Sequence, residues 1–330
     1  MQRAMRQSNY LLLILLQLGI ATAFADPVPA DESGWLKSMA VAAHQTDFSG
    51  VFVYQSGGRV EMSRITHIAD STGEHERLEG IGGERRELIR DNDHVWLYTD
   101  GHKVPLENRQ VMRSFPALLP EQISLLKQNY SVTQAEDDDV AGYHAHAVVF
   151  LPRDNLRYAR KMWAHNDSGL LLKAVVLNER GVVIEQYAFM QLDIGGNIDR
   201  KWIVPDKSSA NSVAQELHLS PLPKVELLSE SCGWQVDALP SGFKKILEMR
   251  RPFRGNKEQV IQMVFSDGLA GISVFIEKAQ DAVHIHSGLS GQGAAHVYNR
   301  IVGNNLVTVV GEVPSRTVIQ VGDSVRYAGQ

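Results

Sequence analysis

The chain has 330 residues, of which 44% are hydrophobic and 22% are charged, and its formal net charge is −5. This composition is typical of a globular protein and excludes a disordered, collagen-like or coiled-coil chain. The mildly acidic balance argues against a dedicated nucleic-acid-binding protein, because such domains usually carry a net basic surface. Since the length exceeds what one hydrophobic core comfortably supports, two domains are expected.

The first 25 residues carry the parts of a secretory signal peptide in the right order. Arg3 and Arg6 precede an apolar run over residues 10–16, and an Ala-x-Ala cleavage motif ends at Ala25. The alternative is a membrane anchor, but residues 10–24 supply about 15 mostly apolar positions, fewer than the roughly 20 that a spanning helix needs. We therefore predict that residues 1–25 are removed and that the protein is exported and soluble.

The chain contains one cysteine, Cys232, and no cysteine follows the cleavage motif as it would in a bacterial lipoprotein. An internal disulfide is therefore impossible. We expect Cys232 to pack as a small buried hydrophobic residue, with an intermolecular disulfide as the alternative.

The predicted elements begin with an amphipathic helix over residues 31–46, where apolar residues recur at helical spacing. A series of strand patterns follows, and the short turns between them favour antiparallel hairpins. Residues 114–130 interrupt this series with a helical pattern. Pro120 suits the first position of that helix, and Glu121 suits its first turn.

Several of the predicted strands are apolar on both faces, as residues 170–177 illustrate. An antiparallel sheet with one solvated face should carry polar residues at every second position. One explanation is that helices cover one face of the sheet and further sheet structure covers the other. The alternative is a curved sheet whose concave face lines an apolar ligand cavity. The residues leave both explanations open.

Near residue 205 the composition changes to Ser, Pro and small polar residues, which predicts a linker over residues 206–225. Strand patterns bounded by Gly turns follow, and a final helix is predicted after Pro314. The fold class is therefore α+β, with a first domain over residues 26–205 and a second, smaller α+β domain over residues 226–330.

No common catalytic or cofactor-binding motif is present. Residues 288–292 depart from the G-x-S-x-G pattern of serine hydrolases at its last position. There is no H-E-x-x-H, no P-loop, no G-x-G-x-x-G after a strand and no C-x-x-C. We therefore predict no cofactor and expect that the protein is not an enzyme.

Two pairs of histidines lie two residues apart on predicted strands, His144 with His146 and His284 with His286. Such pairs can bind a metal or sense pH, but ordinary sheet residues are the simpler interpretation. The acidic run over residues 136–139 lacks the ligand spacing of a calcium loop, so we interpret it as a solvated hairpin turn.

Basic residues crowd the stretch between Lys244 and Lys257, where apolar side chains are interleaved with them. In an acidic protein this is a local positive surface. It is either a solvated face or a docking surface for an acidic peptide or phosphorylated headgroups, both of which arginine suits. For partner binding we predict Arg250, Arg251 and Arg254, with Phe253 as the apolar anchor.

Several stretches occur in an order that resembles one known family. They are GERRELIRDNDHVWLY, LPEQISLLKQNY, RYARKMWAHNDSGLLLKAVVLNERGVVIEQYAFMQLDI, LPSGFKKILEMRRPF, SDGLAGISVFIEK and TVVGEVPSRTV. Together they resemble the RseB/MucB family of periplasmic regulators of the envelope-stress sigma factor, which is of the sigma-E or AlgU type. The resemblance runs through nearly the whole mature chain and is strongest to the MucB branch.

This resemblance implies that the first domain is similar to the lipoprotein carriers LolA and LolB, an open antiparallel β half-barrel with helices in its mouth. It implies that the smaller C-terminal domain helps to bind the periplasmic domain of a membrane anti-sigma factor of the MucA or RseA kind. Binding would protect that factor from regulated proteolysis, and a lipid or lipopolysaccharide fragment would release it. The resemblance leaves open whether the protein forms a homo-oligomer. The alternative function is a periplasmic lipid or lipoprotein carrier.

For the lipid site we predict side chains of the helical insert together with two tryptophans of the sheet. An apolar insert that interrupts strands in need of cover on both faces is the reason for this choice. These residues are Leu118, Leu119, Ile123, Leu126, Trp96 and Trp163.

Overall fold

The computed structural model describes residues 32–82, 86–99, 102–105, 114–196, 198–199, 201, 226–227, 232–252, 259–279 and 287–328. The predicted signal peptide and the predicted linker lie outside these residues. No helix among the described residues combines the length and the apolar character that a membrane span requires.

The first domain is built on one antiparallel sheet of 11 strands in the order β6-β5-β4-β3-β2-β1-β11-β10-β9-β8-β7. The strands are β1 (Phe48–Ser56), β2 (Arg59–Asp70), β3 (Gly73–Ile81), β4 (Arg86–Asp91), β5 (His94–Thr99), β6 (His102–Pro105), β7 (Tyr130–Val140), β8 (Tyr143–Pro152), β9 (Ala159–His165), β10 (Leu171–Leu177) and β11 (Val183–Ile194). Two hairpin series meet where β1 pairs with β11. In the described part of the chain, the edge strands β6 and β7 do not pair with each other, so the sheet is open.

Two elements pack on one face of this sheet, which we call the covered face. They are α1 (Glu32–Gln45) and the inserted segment (residues 114–130), which contains the short helix α2 (Ser124–Asn129). Their apolar side chains form one core with those of the strands. Burial of each large apolar side chain contributes about 1.5–3 kcal/mol, so this core is the main stabilising feature of the domain.

The helix of the inserted segment is shorter than the sequence pattern predicted. It begins at Ser124, so Pro120 and Glu121 precede it instead of forming its first turn. Proline disfavours helical backbone at the residue before it, and Pro116 and Pro120 therefore keep the first half of the segment out of a helix.

The second domain has a sheet of seven strands in the order β12-β14-β15-β16-β19-β18-β17, and a separate pair, β13 with β20. The strands are β12 (Glu226–Leu227), β13 (Trp234–Val236), β14 (Lys244–Pro252), β15 (Gln259–Ser266), β16 (Gly271–Lys278), β17 (Gly288–Gln292), β18 (Ala295–Val302), β19 (Asn305–Gly311) and β20 (Val325–Tyr327). Helix α3 (Ser315–Asp323) follows Pro314, as predicted, and packs on β18 and β19. The predicted fold class, an open antiparallel sheet with helices and a smaller α+β domain, is confirmed.

Candidate functional site

The inserted segment fills the covered face with the side chains that the sequence predicted. Leu126 is fully buried, Leu119 and Ile123 are buried, and Leu118 is half-buried against the same core. The structure therefore brings these four predicted residues together on one face of the sheet. An apolar ligand on this face would have to share or take the place that they occupy.

Phe115, at the start of the inserted segment, packs into an aromatic pocket. Its role was not predicted from the sequence. Its ring centroid lies 5.1 Å from that of Phe52, 5.5 Å from that of Tyr187 and 5.0 Å from that of Phe189. Aromatic pairs at such distances stabilise beyond their burial alone. The Phe-Pro pair at the start of the apolar run was the only sequence feature that could have drawn attention to Phe115. The pocket for its ring is formed by β1 and β11, which are remote from it in sequence.

Trp96 lies on the opposite face of the sheet. Its neighbour Leu97 is paired with Leu88, and Leu88 is paired with Leu78. Leu78 is in turn paired with Ile65, which is fully buried in the core of the covered face. Because successive residues of a strand point to opposite faces, Trp96 points away from the covered face. The structure does not bring it together with the inserted segment.

Trp163 also lies on the opposite face, although it is buried. Its neighbour Met162 is paired with Ala174, which faces Tyr187 on the covered face. The ammonium groups of Lys161 and Lys173 each lie 4.4 Å from the centroid of the Trp163 ring. Cation–π contacts of this kind are worth about 0.5–2 kcal/mol, and they provide a structural role for this tryptophan.

The second domain closes one end of the covered face. Ala294, in the turn between β17 and β18, is fully buried in a cluster with Tyr158, Val176 and Ile184 of the first domain. The neighbouring Gly293 lies so close to Ser56 that a Cβ on it would overlap the serine oxygen. The covered face is thus enclosed by elements of both domains.

A buried carboxyl group lies at this end of the interface. Burial, followed by the nearby charge of Glu312, raises the pKa of Glu185 to about 7. The hydroxyl group of Tyr54 donates to Glu185 at 3.3 Å, and Arg160 lies 3.5 Å from Glu312 across the two domains. The protonation of Glu185 is therefore sensitive to how closely the second domain covers it.

A buried ion pair joins the two domains on the same face. Nε of Arg157 donates to Oδ2 of Asp267 at 2.6 Å, and the two side chains are 1% and 0% exposed. Burial opposes the charge, but the hydrogen bond and the negative charge of Asp267 hold the pKa of Arg157 above its ordinary value. Breaking such a buried pair leaves an uncompensated charge, so the interface depends on it.

A cleft of about 790 Å³ opens between the domains beside the inserted segment. The first domain contributes an ion cluster in which Oε1 of Glu74 lies 3.1 Å from His44, 3.3 Å from His67 and 2.8 Å from Arg90. Burial opposes ionisation, but these partners hold the pKa of Glu74 well below its ordinary value. Lys244 and Lys245 of the second domain lie on the cleft's other wall.

Two of the predicted partner-binding residues, Arg250 and Arg251, lie at the end of β14. Arg250 is half-buried and paired with Ile261, and Arg251 is paired with Val260. Phe253 and Arg254 lie outside the described residues, as does the side chain of Arg251. The structure therefore places the start of the predicted basic surface on a strand of the second domain.

The predicted histidine pair His144 and His146 lies on β8 next to the acidic run, which is exposed within β7 rather than in the turn that follows. Among the described residues, no group of three potential ligands that could hold a metal ion occurs. His284 and His286 lie outside the described residues. Cys232 is a buried, free cysteine, and burial raises the pKa of its thiol to about 11.

The fold and the site define a two-domain binding protein, in which an apolar sheet face is filled by an inserted segment and closed by a second domain. The chain belongs to the MucB/RseB family. The model of the MucB/RseB N-terminal domain matches residues 31–207, and that of the MucB/RseB C-terminal domain matches residues 229–326. The family expected from the sequence is thereby confirmed.

Individual relatives agree with this assignment. The chain is 30% identical to the sigma factor AlgU regulatory protein MucB of Pseudomonas aeruginosa over 320 residues, which cover 95% of this chain and 96% of the relative. It is 22% identical to the sigma-E factor regulatory protein RseB of Escherichia coli over 309 residues, 93% of each chain.

Solved structures resemble the whole two-domain arrangement. The crystal structure of MucB in complex with MucA(peri) is 27% identical, with a TM-score of 0.70, and the match covers 91% of this chain and 100% of that one. The complex structure of Pseudomonas aeruginosa MucA/MucB is also 27% identical, with a TM-score of 0.71, and covers 90% and 99% of the two chains.

Proposed function

We propose that this protein is a periplasmic negative regulator of an envelope-stress sigma factor pathway. It binds the periplasmic domain of a membrane anti-sigma factor of the MucA or RseA kind and protects that factor from regulated proteolysis. The observation that carries this proposal is the similarity, over 91% of the chain, to MucB solved in complex with MucA(peri). It acts by binding, without catalysis.

The proposed location and domain limits follow from the sequence. Residues 1–25 direct export and are removed, which leaves a soluble periplasmic protein. Residues 26–205 form the first domain, residues 206–225 the linker and residues 226–330 the second domain. The order of charged, apolar and cleavage-site residues supports the first point, and the limits of the two family models support the second.

A lipid or lipopolysaccharide-type ligand releases the anti-sigma factor. We assign the acyl site to the covered face, at Phe115, Leu118, Leu119, Ile123 and Leu126, because these side chains already fill it with apolar surface. Trp96 and Trp163 lie on the opposite face and are left out of this site. A seated acyl chain contributes about 0.8 kcal/mol for each buried CH₂ group, so a long chain competes with several side chains.

The anti-sigma factor contacts the second domain at Arg250 and Arg251 of β14 and at Phe253 and Arg254, which follow that strand in the sequence. This assignment is supported by the local excess of positive charge in a chain whose formal net charge is −5. Arginine forms paired hydrogen bonds with carboxylates, so an acidic segment of the partner is the expected contact.

Affinity capture from an envelope extract of the source bacterium tests the proposed function. The tagged chain should retain a single-pass membrane protein, identified by mass spectrometry. Added to the extract, the purified chain should also slow cleavage of that protein's periplasmic domain. Capture without any effect on cleavage would contradict the protective role.

The alternative function, a periplasmic lipid or lipoprotein carrier, is favoured by the apolar covered face. The same capture experiment separates the two functions, because a carrier would be recovered with lipid or lipoprotein and without an anti-sigma factor. A second domain bound through a buried ion pair is more than a carrier of this fold requires, so we favour the regulator.

A further inference from the structure

The inserted segment touches both domains at once. Leu126 is fully buried in the core of the first domain, yet a Cβ on Gly268 of the second domain would lie 3.0 Å from its Cδ2 atom. The same Cβ would lie 3.3 Å from Cγ of Pro120. Gly268 has a φ of +105°, a conformation that favours glycine. The turn that contains Gly268 is therefore shaped to the surface of the inserted segment.

Asp267 anchors this turn to the end of the inserted segment. Its Oδ2 atom accepts hydrogen bonds from Tyr130 Oη at 2.9 Å and from Arg157 Nε at 2.6 Å. Its Oδ1 atom accepts from the backbone of Leu269 at 2.9 Å and of Ala270 at 2.8 Å. One carboxylate thus holds both its own turn and the last residue of the inserted segment.

A second contact forms at the same end. Gly242, with a φ of +82°, lies so close to Asn129 that a Cβ on it would overlap the side-chain amide. The guanidinium group of Arg157 donates to the carbonyl oxygen of Ser241 and lies 5.1 Å from the ring centroid of Phe243. Asn129 and Arg157 of the first domain therefore both contact this turn of the second domain.

The opposite end of the inserted segment fills the aromatic pocket of Phe52, Tyr187 and Phe189 with the ring of Phe115. An acyl chain that enters this pocket has to displace that ring, because protein cores leave no spare volume of that size. The interdomain cleft of about 790 Å³ lies beside the segment and provides room for the displaced residues.

We propose that the inserted segment couples the acyl site to the interdomain contact, so that acyl binding and docking of the second domain on Asn129, Tyr130 and Leu126 exclude each other. The inference rests on the lipid-release step of the proposed function and names the element that transmits it. A ligand shifts such an equilibrium only by its different affinity for the docked and undocked forms. Locking the domains together must then weaken acyl binding, and loosening them must strengthen it.

A disulfide between the domains tests whether locking them together weakens acyl binding. Ser56→Cys with Gly293→Cys, in a Cys232→Ala background, joins the domains through the turn between β17 and β18, which is separate from the turn that contains Asp267. The oxidised and reduced forms of this one chain carry the same substitutions, so they are matched controls. With 11-(dansylamino)undecanoic acid as the probe, the oxidised form should bind about tenfold more weakly, within the usual range of coupling energies.

Asp267→Asn tests whether loosening the domains strengthens acyl binding. The substitution removes the charge that pairs with Arg157 and keeps the oxygen that holds the turn of residue 267. This variant should bind the probe about fivefold more tightly than the wild type, again within the usual range of coupling energies. The control is Asp237→Asn, which removes a carboxylate paired with Arg326 at an exposed position within the second domain. It should leave the affinity for the probe unchanged. If Asp267→Asn fails to fold, as judged by circular dichroism, the disulfide comparison decides alone.

The outcomes separate this inference from the proposed function. Equal probe affinity in the oxidised and reduced forms overturns the coupling and leaves lipid binding intact. If no form binds the probe although all capture the anti-sigma factor, the lipid-release step itself is wrong and the coupling falls with it. Weaker binding of the probe in the oxidised form supports both the coupling and the lipid-release step.

Discussion

At the scale of single residues, the Arg157–Asp267 pair is a buried charge pair that joins the two domains. Arg157→Met should reduce the free energy of unfolding by about 3–5 kcal/mol, because it leaves the buried Asp267 carboxylate without the positive charge that pairs with it. Urea titration followed by tryptophan fluorescence measures the loss. Arg326→Met is the matched control, since both side chains of its pair with Asp237 are about half exposed and such surface pairs contribute little to stability. Equal losses in the two variants would contradict this role of Arg157.

Glu185 should make stability depend on pH between 4.5 and about 7. Its pKa rises from 4.5 to about 7 in the folded protein, so the folded state holds a proton there that the unfolded state has released. Stability therefore falls as the pH rises through this window and is level above it. Glu185→Gln removes the ionisation, so the stability of the variant relative to the wild type should increase by up to about 3 kcal/mol from pH 4.5 to pH 7.5.

Urea titrations at several pH values measure this difference. The exposed Glu61→Gln is the control, because its carboxyl group is not buried by the second domain. A wild type and a Glu185→Gln variant with parallel stability profiles would show that the carboxyl group ionises freely in the folded state.

At the scale of elements, the inserted segment combines an anchor and a potential acyl site. Phe115→Ala should lower the free energy of unfolding by about 3–5 kcal/mol and leave a void among Phe52, Tyr187 and Phe189. Because that void no longer has to be vacated, the variant should bind a dansylated fatty acid more tightly than the wild type. Leu118→Ala, at a half-buried position of the same segment, should change both quantities less. Unchanged fatty-acid affinity in Phe115→Ala would place the acyl site elsewhere.

Charge reversal at Arg251 and Arg254 tests the predicted basic surface. Arg251→Glu with Arg254→Glu should slow association with the anti-sigma factor's periplasmic domain and flatten its dependence on salt, because charges at an interface act mainly on the association rate. Surface plasmon resonance at several salt concentrations measures both effects. Arg59→Glu with Arg180→Glu changes the charge equally at exposed positions of the first domain. If both double variants bind alike, Arg251 and Arg254 are only solvated.

At the scale of the whole molecule, the two proposed binding events must affect each other equally. A bound lipid lowers the affinity for the anti-sigma factor by a certain ratio. The periplasmic domain of the anti-sigma factor must then lower the affinity for the lipid by the same ratio. A coupling on the order of 1–3 kcal/mol is needed for substantial release. Calorimetric titration of a lipid A-like amphiphile, with and without saturating partner domain, measures it. Equal lipid affinity in the two titrations would leave the acyl site without a regulatory role.

Much of this architecture could be predicted from the sequence, because it follows from local patterns. Alternating and continuous apolar runs predicted the strands, Pro314 predicted the start of α3, and the change of composition near residue 205 separated two units. The apolar character of Leu119, Ile123 and Leu126 predicted that the insert would cover the sheet. The order of six short stretches predicted the family.

Which face a residue occupies was decided by tertiary structure alone. Trp96 stands between Val95 and Leu97, so the apolar pattern around it is the same on both faces of the strand. Only the register of four paired strands shows that Leu97 points to the covered face and Trp96 away from it. Where a sheet is buried on both sides, hydrophobic periodicity carries no information about direction.

By itself, therefore, the sequence determined the two-domain α+β class and the family, because hydrophobic spacing and turn residues act over a few positions. The tertiary structure alone decided that Arg157 meets Asp267 and that Phe115 fills a pocket made by β1 and β11. These contacts join residues tens to more than a hundred positions apart. Their formation depends on sheet register and on the docking of one domain against the other, and no local pattern encodes either.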